Sequence, residues 1–443
     1  MRFFCEHIFK GMLVCILFSP VLLPAQGSLI QSGPMVGFAE MKEVSIWVQT
    51  KEAATVQLSY WRTSDPKTLY YTDSIHTKKD RAFTAHLFTD QVEPGESYAY
   101  QVLVNSVPQS FPYKLEFTTP SLWQWRTDPP AFSIAMGSCT YVNEEIYDRP
   151  GKPYGGDYEI FRSILDKDPD LMLWLGDNTY LREVDWYSRT GIIHRYTHTR
   201  SLPELQALLA SVSHYAIWDD HDYGPDNSDR SFSRKALSRD VFSWFWANPT
   251  VGVADWGGTT TMFEWGDAQF FLLDNRSFRS PNNKKTEQRT LLGEDQFTWL
   301  IDALVSSEAT FKFVCVGGQV LNPVDRFETY SNVAPEERLR LLRSIVQEGI
   351  ENVFFISGDR HHSELSFLER EQLAIYDITT SPLTSGSHNH PDEANTLRVK
   401  GSYIGQRNFS ILRISGPREE RKLLLTYFDT FGKELWSYTI NAQ

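Results

Sequence analysis

The sequence predicts an α/β domain that is preceded by a small all-β domain, and two contrasting patterns along its 443 residues indicate this. Residues 27–120 contain short stretches of alternating polar and apolar residues, a pattern typical of antiparallel strands. From residue 131 onward, short apolar runs alternate with amphipathic segments, which is typical of βα units. We therefore expect a linker at 121–130, where Pro129 and Pro130 stand together, and a larger domain at 131–443.

Four stretches of the first domain alternate with the period of a β-strand. Turn-prone segments such as TSDPK (63–67) and VEPGES (92–97) separate them, and no stretch reads as a convincing helix. The stretches are EVSIWVQT (43–50), TVQLSYW (55–61), AFTAHLF (82–88) and SYAYQVLV (97–104). Their even spacing predicts a β-sandwich of the immunoglobulin or fibronectin type at 27–120.

The second domain contains four segments with helical periodicity. They are Tyr158–Leu165, Ser233–Ala247, Glu294–Ser306 and Pro335–Gln347. The last begins with proline followed by two glutamates, which favours a helix start. The C-terminal segment 423–440 predicts a β-hairpin with its turn near Gly432.

Residues 1–26 have the pattern of a secretory signal peptide. A weakly basic start precedes the apolar stretch Met12–Leu23, and Pro24, Ala25 and Gln26 offer a region for cleavage. The alternatives are a permanent N-terminal anchor and lipidation at Cys15. The apolar stretch is short for a bilayer span, and no later stretch approaches span length. We expect an exported protein, either periplasmic or secreted, without a transmembrane helix after signal removal.

Charge and cysteine content exclude several classes of protein. The net charge is −13, which argues against broad electrostatic binding to nucleic acid. Cys5 and Cys15 leave with the signal peptide, so the mature chain is not built on disulfides. Cys139 and Cys315 either pair or have separate roles. Cys315 lies in an apolar run, whereas Cys139 lies where a strand is expected to end.

Five apolar runs of the second domain each end in polar side chains that can bind metal ions. The runs are FSIAMGSCTY (132–141), DLMLWLGDNTY (170–180), HYAIWDDHDYG (214–224), AQFFLLDNRSFR (268–279) and NVFFISGDRHHSE (352–364). Each has the composition of a strand buried on both faces. Because ligands of open α/β sheets bind beyond the carboxyl ends of strands, we expect these side chains to line one crevice.

The side chains in these runs suit a hydrolytic site with two metal ions. Such a site needs a bridging carboxylate, further anionic or imidazole ligands and a proton donor for the leaving group. Asp177 is placed to bridge, and Asp220, Asp359 and His361 supply further ligands. His221 follows a ligand and is expected to protonate the leaving oxygen or stabilise charge on it.

Cys139 and Tyr180 make the choice of metal more specific. A thiol and a phenol ligate well only when deprotonated, and a phenol has a pKa of about 10. Fe³⁺ is acidic enough to hold both as anions at neutral pH. The oxygen donors Asp220 and Asp359 suit Ca²⁺, Mg²⁺ or Mn²⁺.

The five motifs, taken together and in this order, resemble the PhoD-like alkaline phosphatases (alkaline phosphatase D), a branch of the calcineurin-like metallophosphoesterases. The motifs are Gly137-Ser138-Cys139, Gly176-Asp177-Asn178-Thr179-Tyr180, Trp218-Asp219-Asp220-His221-Asp222, Leu273-Asp274-Asn275-Arg276 and Ser357-Gly358-Asp359-Arg360-His361. The resemblance covers residues 131–385, and the spacing from Asp177 to Tyr180 is also similar to that of purple acid phosphatases.

The resemblance implies a four-layer αββα fold and hydrolysis of phosphate monoesters, diesters or both by in-line attack of a metal-bound hydroxide. It implies Fe³⁺ held by Cys139, Asp177, Tyr180 and His361, and Ca²⁺ held by Asp177, Asp220 and Asp359. It also implies that Arg276 binds the substrate phosphate, that His221 lies beside the leaving oxygen, and that Asn227 contacts phosphate or metal. Asp222 and Arg360 depart from the family pattern, as does the lack of a C-terminal helix that covers the site in some members.

Each residue also has a structural interpretation. Cys139 and Tyr180 taken singly are more often buried structural residues, and Asp219–Asp222 taken alone reads as a solvated acidic loop. Arg276 is able to pair with Asp274 or Asp267. His362 is expected outside the metal site, and the segment GSHNHPDE (386–393) is expected to be a surface loop.

Two other functions are consistent with the sequence. One is a phospholipase-type phosphodiesterase, which would act on a lipid rather than a small phosphate ester. The other is a non-catalytic surface-binding protein in which residues 27–120 mediate adhesion. The retained set of metal-binding side chains favours the enzyme.

Overall fold

The computed structural model describes residues 28–443, and the predicted signal peptide at 1–26 lies outside the described residues. The first domain is all-β, as predicted, and contains two antiparallel sheets. One sheet comprises β1 (Ile30–Ala39), β2 (Val44–Thr50) and β6 (Thr84–Thr89). The other comprises β3 (Thr55–Arg62), β4 (Tyr70–Tyr71), β5 (Ile75–His76), β7 (Ser97–Val104), β8 (Val107–Pro108) and β9 (Glu116–Thr118). The immunoglobulin or fibronectin type stays a prediction.

Strand β1 joins the first domain to the second and was not among the predicted strands. It contains Gly33, Pro34 and Gly37, which are residues that disfavour a strand when read locally. Tertiary contacts compensate, since the Phe38 N–H donates to the carbonyl of Ala247 at 2.9 Å. Met35 and Trp47 are fully buried in a core that also contains residues of the second domain.

The second domain contains two six-stranded sheets. The first has the order β12 (Ser213–Ile217), β11 (Leu171–Leu175), β10 (Phe132–Gly137), β19 (Asn408–Ser415), β20 (Lys422–Asp429) and β21 (Glu434–Asn441). The second has the order β13 (Thr261–Trp265), β14 (Ala268–Leu272), β15 (Phe311–Cys315), β16 (Val353–Ser357), β18 (Leu373–Thr379) and β17 (Glu364–Arg370). The predicted C-terminal hairpin is confirmed as β20 and β21, with Gly432 in the left-handed region at φ 77°.

The helices of this domain all lie between its strands in the sequence. They are α1 (Ile160–Leu165), α2 (Arg189–Arg200), α3 (Gln206–Ser211), α4 (Asp220–Tyr223), α5 (Lys235–Phe245), α6 (Glu294–Ser306), α7 (Tyr330–Val333) and α8 (Pro335–Gln347). The four predicted helices are confirmed, two of them with shorter bounds. Helix α2 was missed because its sequence has little amphipathicity; Arg195 secures it instead through buried ion pairs with Asp185 and Glu144.

Alternation along the strands explains how the two sheets and the helices pack. In β11, Leu171, Leu173 and Leu175 point into a core shared with the second sheet, whereas Met172 and Trp174 point into a core shared with helices. The second sheet behaves likewise: Phe313 faces the first sheet, and Val314 faces a core built with α6 and α8. The layers therefore follow the order helices, sheet, sheet, helices. Among residues 28–443, no helix is long and apolar enough to cross a bilayer.

Candidate active site

The five apolar runs are all strands, and parallel pairing brings their carboxyl ends to one edge. Strands β10, β11 and β12 are parallel neighbours in the first sheet, as are β14, β15 and β16 in the second. A cavity of about 590 Å³ opens beside these ends. Its wall includes six of the predicted site residues, namely Asp177, Asp220, His221, Asn227, Asp359 and His361.

Four of the predicted metal ligands have left-handed backbone conformations. Cys139, Asp177, Asp359 and His361 have φ values of 61°, 52°, 63° and 54°. Such conformations are costly for residues with a side chain and are concentrated at functional sites. They turn the backbone sharply just after each strand end. Asp177, Asp359 and His361 line the cavity, whereas Cys139 is fully buried and does not.

Gly176 makes the turn before Asp177 possible. Its φ is +88°, and a Cβ atom at this position would lie 2.6 Å from the Cβ of Asp219. Any side chain here would push the loop after β12 away from the loop after β11. The glycine therefore determines how closely the Asp177 and Asp220 loops approach.

The first group of donors comprises Cys139, Asp177, Tyr180 and His361. The Cys139 thiol donates to Oδ2 of Asp177 at 3.7 Å, and the Tyr180 hydroxyl lies 3.1 Å from Nε2 of His361. One donor atom each from Cys139, Asp177 and His361 lies within 4.8 Å of the others. All four residues are buried. The structure thus brings together the sulfur, phenol, carboxylate and imidazole groups that the sequence suggested.

Electrostatics in this group favour a cation. Burial raises the pKa of Asp177 well above its usual value, and the neighbouring carboxylates of Asp220, Asp219 and Asp222 raise it further. Burial and the charge of Asp177 likewise raise the pKa of the Cys139 thiol. Both pKa values are raised because the anionic forms would be buried close to other negative charges. A bound cation would lower them again.

Hydrogen bonding determines which nitrogen of His361 is available. Nδ1 lies 2.6 Å from the carbonyl of Gly386, which accepts only from a protonated nitrogen. Burial and the charge of His388 lower the pKa of His361 to about 3, so the ring is neutral. Nε2 therefore keeps its lone pair, which is directed towards the Tyr180 hydroxyl and available to a metal ion.

The second group of donors surrounds Asp220. Donor atoms of Asp177, Asp220 and His221 lie within 4.8 Å of one another, as do donor atoms of Asp219, Asp220 and Glu328. Burial alone would raise the pKa of Asp220, but the charges of His221 and Arg276 outweigh it and lower this pKa. Asp359 lines the same cavity, although within residues 28–443 no group of three such donors includes it.

Arg276 occupies a different place from the one expected for a phosphate-binding residue. Its side chain is fully buried and is absent from the wall of the cavity. The guanidinium pairs with Asp219 and Glu328, and its Nη2 atom is 3.9 Å from Oδ1 of Asp220. Carboxylates already occupy its donors, so the structure does not bring this guanidinium to the substrate cavity.

His221 and Asn227 lie on the wall of the cavity. The His221 ring stacks on the Tyr180 ring with centroids 4.3 Å apart, and its Nε2 is 3.8 Å from Oδ1 of Asp226. About a quarter of the His221 side chain is exposed, which leaves the ring accessible from the cavity. The Asn227 N–H donates to Asp220 at 2.6 Å, while its side-chain amide donates to Asp226 at 2.7 Å.

Several residues of the cavity were not expected from the sequence. Glu328, Tyr154, His388 and His390 all line it, and they lie on connecting segments rather than at strand ends. The segment 386–393 was expected to be a surface loop, yet His388 stacks on His361 with ring centroids 4.5 Å apart. The density of histidines in this segment was the one available signal. His362 is fully buried away from the cavity wall, as expected.

Comparison with known proteins identifies the family. Residues 134–409 match the family described as PhoD-like phosphatase. The chain belongs to the PhoD-like phosphatase family. The resemblance inferred from the motifs is therefore confirmed. Residues 28–121 match a domain of unknown function, DUF7800.

Relatives of this PhoD-like phosphatase agree with that assignment. Alkaline phosphatase D of Bacillus subtilis (strain 168) is 23% identical over 378 residues, which cover 73% of this chain. The matched part spans 62% of that relative, so this chain covers less than two thirds of its length.

Two solved structures have a similar fold. A structure of PhoD is 17% identical, with a TM-score of 0.78 over 95% of this chain and 92% of that chain. The purple acid phosphatase from yellow lupin (Lupinus luteus) seeds is 11% identical, with a TM-score of 0.67 over 92% of this chain and 74% of that chain. The predicted α/β fold is confirmed at this level.

Proposed function

We propose that this protein is an exported, metal-dependent phosphoesterase that hydrolyses phosphate monoesters, diesters or both. The observation that supports this best is the meeting of Cys139, Asp177, Tyr180 and His361 beside the carboxylates around Asp220. Packing of the protein core does not require a thiol, a phenol, an imidazole and several carboxylates to be buried in one cluster. Together they form a donor set for two cations of different character.

The donor chemistry fits the metal ions implied by the family. Cys139, Asp177, Tyr180 and His361 would hold Fe³⁺, because thiolate and phenolate require an acidic cation at neutral pH. Asp177, Asp220 and Asp359 would hold Ca²⁺, with Mg²⁺ or Mn²⁺ as alternatives, since these ions prefer oxygen donors. Bound cations would supply an activated water and offset the charge of the phosphoryl group.

The residues around the cavity would divide the remaining work. His221 would donate a proton to the departing oxygen, because its ring is accessible and Asp226 lies 3.8 Å from its Nε2. The side chain of Asn227 would orient the phosphate. Arg276 would act indirectly, by balancing the charges of Asp219 and Glu328 beside the divalent ion.

A substitution at Asp177 tests the function. Asp177→Asn keeps the size of the side chain but removes the charge that both proposed ions share. We expect phosphatase activity to fall by about 10³-fold or more, with no loss of folded structure by circular dichroism. The matched control is Asp302→Asn on the exposed face of α6, which should retain full activity.

Metal analysis and a substrate panel complete the test. Purified protein should contain iron and a divalent ion, lose activity with a chelator and regain it with calcium. A panel of aryl phosphate monoesters, diesters and a phospholipid separates small-ester hydrolysis from the phospholipase alternative. Turnover by Asp177→Asn at the wild-type rate would contradict the proposed shared ligand.

A further inference from the structure

A second cavity adjoins the one at the strand ends. It has a volume of about 430 Å³, and we call it the aromatic cleft. Its apolar wall includes five aromatic side chains, together with Leu181 and two prolines; the aromatic residues are Tyr141, Tyr147, Tyr154, Tyr180 and Trp186. The cavity of about 590 Å³ at the strand ends has a different wall, in which carboxylates, amides and histidines predominate. The two cavities therefore differ in chemistry although they are neighbours.

The two cavities meet at the proposed proton donor. Tyr154, His221 and Asp226 line both of them. If His221 protonates the leaving oxygen, that oxygen lies beside the His221 ring and the carbon attached to it points away from the phosphorus. The aromatic cleft shares His221, Tyr154 and Asp226 with the first cavity, so it adjoins the place of the leaving oxygen. The alcohol part of the ester can then extend into the cleft while the phosphoryl group stays beside the carboxylates.

The polar groups of the cleft are largely matched within the protein. Arg182 pairs with Asp148 at 2.8 Å, and Arg149 pairs with Glu183 at 3.0 Å. Lys152 also lines the cleft; it is exposed and has no salt-bridge partner among residues 28–443. Apart from this one cation, the aromatic side chains are the main feature that remains for binding a ligand.

The aromatic side chains are held in place before any ligand binds. The Trp186 indole N–H donates to the carbonyl of Leu181 at 3.2 Å, and the Tyr141 hydroxyl donates to Asp148 at 2.8 Å. Tyr147 is 37% exposed and packs edge-on against His194 with ring centroids 5.7 Å apart. Rigid aromatic faces bind flat rings at low entropic cost.

We propose that the aromatic cleft binds the alcohol part of the substrate, and that the preferred substrates are phosphate esters of alcohols carrying a flat aromatic ring. This inference rests on the proposed function. In the reaction, water adds its oxygen to phosphorus and releases one proton to solvent, from which His221 is later reprotonated, and the ester P–O bond breaks. The electron pair of that bond goes to the leaving oxygen, which takes a proton from His221, and the aromatic alcohol departs through the cleft.

Benzyl phosphate and ethyl phosphate provide a matched pair of probes. Both are esters of primary alcohols with similar leaving-group chemistry, and only benzyl phosphate carries a ring. A favourable aromatic contact is worth a factor of about 2 to 12. With metal-loaded full-length protein, we expect kcat/KM for benzyl phosphate to exceed that for ethyl phosphate by at least about 4-fold, from two such contacts.

Variants at the cleft locate the source of this preference. Tyr147→Ala should lower the benzyl-to-ethyl ratio of kcat/KM by about 2- to 12-fold, whereas Tyr147→Phe, which retains the ring, should keep it. The control is Trp125→Ala, which removes a 92% exposed aromatic residue of the linker and should leave both rates unchanged. Trp186→Leu should lower the ratio as Tyr147→Ala does, with folding checked by its melting temperature.

The outcomes separate this inference from the proposed function. Equal hydrolysis of both esters by the wild type overturns the cleft assignment and leaves the phosphoesterase intact. A preference for benzyl phosphate that survives both Tyr147→Ala and Trp186→Leu also overturns it. If iron- and calcium-loaded protein hydrolyses neither of these esters nor any ester of the substrate panel, the proposed function is overturned and this inference with it. Hydrolysis of panel diesters without hydrolysis of benzyl phosphate overturns this inference alone.

Discussion

The hydroxyl of Tyr180 lies 3.1 Å from Nε2 of His361, although the two residues are 181 positions apart in the chain. One residue follows a strand of the first sheet and the other follows a strand of the second sheet. Their contact therefore depends on how the two sheets pack face to face. It also places the phenol oxygen and an unprotonated imidazole nitrogen close enough for one metal ion to bind both.

Tyr180→Phe tests phenolate coordination. A tyrosinate bound to Fe³⁺ absorbs visible light, so the iron-loaded wild type should be violet. We expect Tyr180→Phe to lose this band and keep part of its iron, since Cys139, Asp177 and His361 remain. A visible absorption spectrum with iron analysis provides the measurement. A colourless, active and iron-loaded wild type would argue against the phenolate.

The stability of the metal-free protein should fall as the pH rises. Burial and neighbouring carboxylates raise the pKa of Asp177 and Asp359 in the folded state. A raised folded-state pKa contributes stability below the unfolded value of about 3.9, and this contribution is lost as the pH rises through the folded value. Bound cations should abolish the loss by holding both carboxylates ionised.

Calorimetry of chelated and metal-loaded protein, between about pH 4 and about pH 8, measures this difference. Burial also raises the pKa of Asp377 to about 6, but that carboxylate lies outside the cavity and acts in both forms. The double substitution Asp177→Asn with Asp359→Asn should make the pH dependence of stability shallower in the chelated protein. The part that remains comes from Asp219, Asp222 and Asp377, whose pKa values burial also raises. Parallel melting curves for the chelated and loaded forms across this range would count against the shifts.

Arg276→Met should destabilise the protein rather than only weaken substrate binding. Its guanidinium is fully buried between Asp219 and Glu328. Removing it leaves the buried Asp219 without a counter-charge, while Glu328 keeps only Arg279. We expect a loss of about 3–5 kcal/mol in the free energy of unfolding. Arg149→Met at the exposed Arg149–Glu183 pair is the control, with an expected change below about 1 kcal/mol. Urea denaturation distinguishes the two; a fully stable Arg276→Met with a raised KM would instead favour direct phosphate binding.

His221→Asn should affect poor leaving groups more than good ones. If His221 protonates the leaving oxygen, kcat for ethyl phosphate should fall by about 10²- to 10⁴-fold. 4-Nitrophenyl phosphate, whose leaving group needs little protonation, should lose much less activity. His221 also lies within 4.8 Å of the donor atoms of Asp177 and Asp220. Equal losses for both esters, accompanied by loss of the divalent ion, would indicate a ligand instead of an acid.

Much of the site was predictable because its residues follow strands directly. Cys139, Asp177, Asp220 and Asp359 each come within three residues of the end of a buried strand, and parallel strands collect their carboxyl ends at one edge. Helices α6 and α8 were equally predictable, because the apolar residues of their helical repeat are the residues that pack into the core. Local chemistry and tertiary position coincide at these residues.

Other residues of the site and other elements of the fold depended on how the connecting segments pack, which the sequence did not predict. Glu328, Tyr154 and His388 reach the cavity from connecting segments, where no periodicity predicts position. Strand β1 and helix α2 form despite weak local signals, because Phe38 bonds to Ala247 and Arg195 pairs with Asp185. The ion-pair partners of Arg276 were also unpredictable. The sequence offered Asp274 and Asp267, which are nearer in the chain, whereas the guanidinium pairs with Asp219 and Glu328.

The amino-acid sequence alone therefore determined the five strands that carry the site, the kinds of donor atom and the family. These follow from composition, alternation and the chemistry of side chains, all of which are local. The tertiary structure alone decided which donors meet, which charges are buried and where the aromatic cleft opens. Distances between residues far apart in the chain depend on how sheets and loops pack, and burial then shifts the pKa of each group that packing encloses.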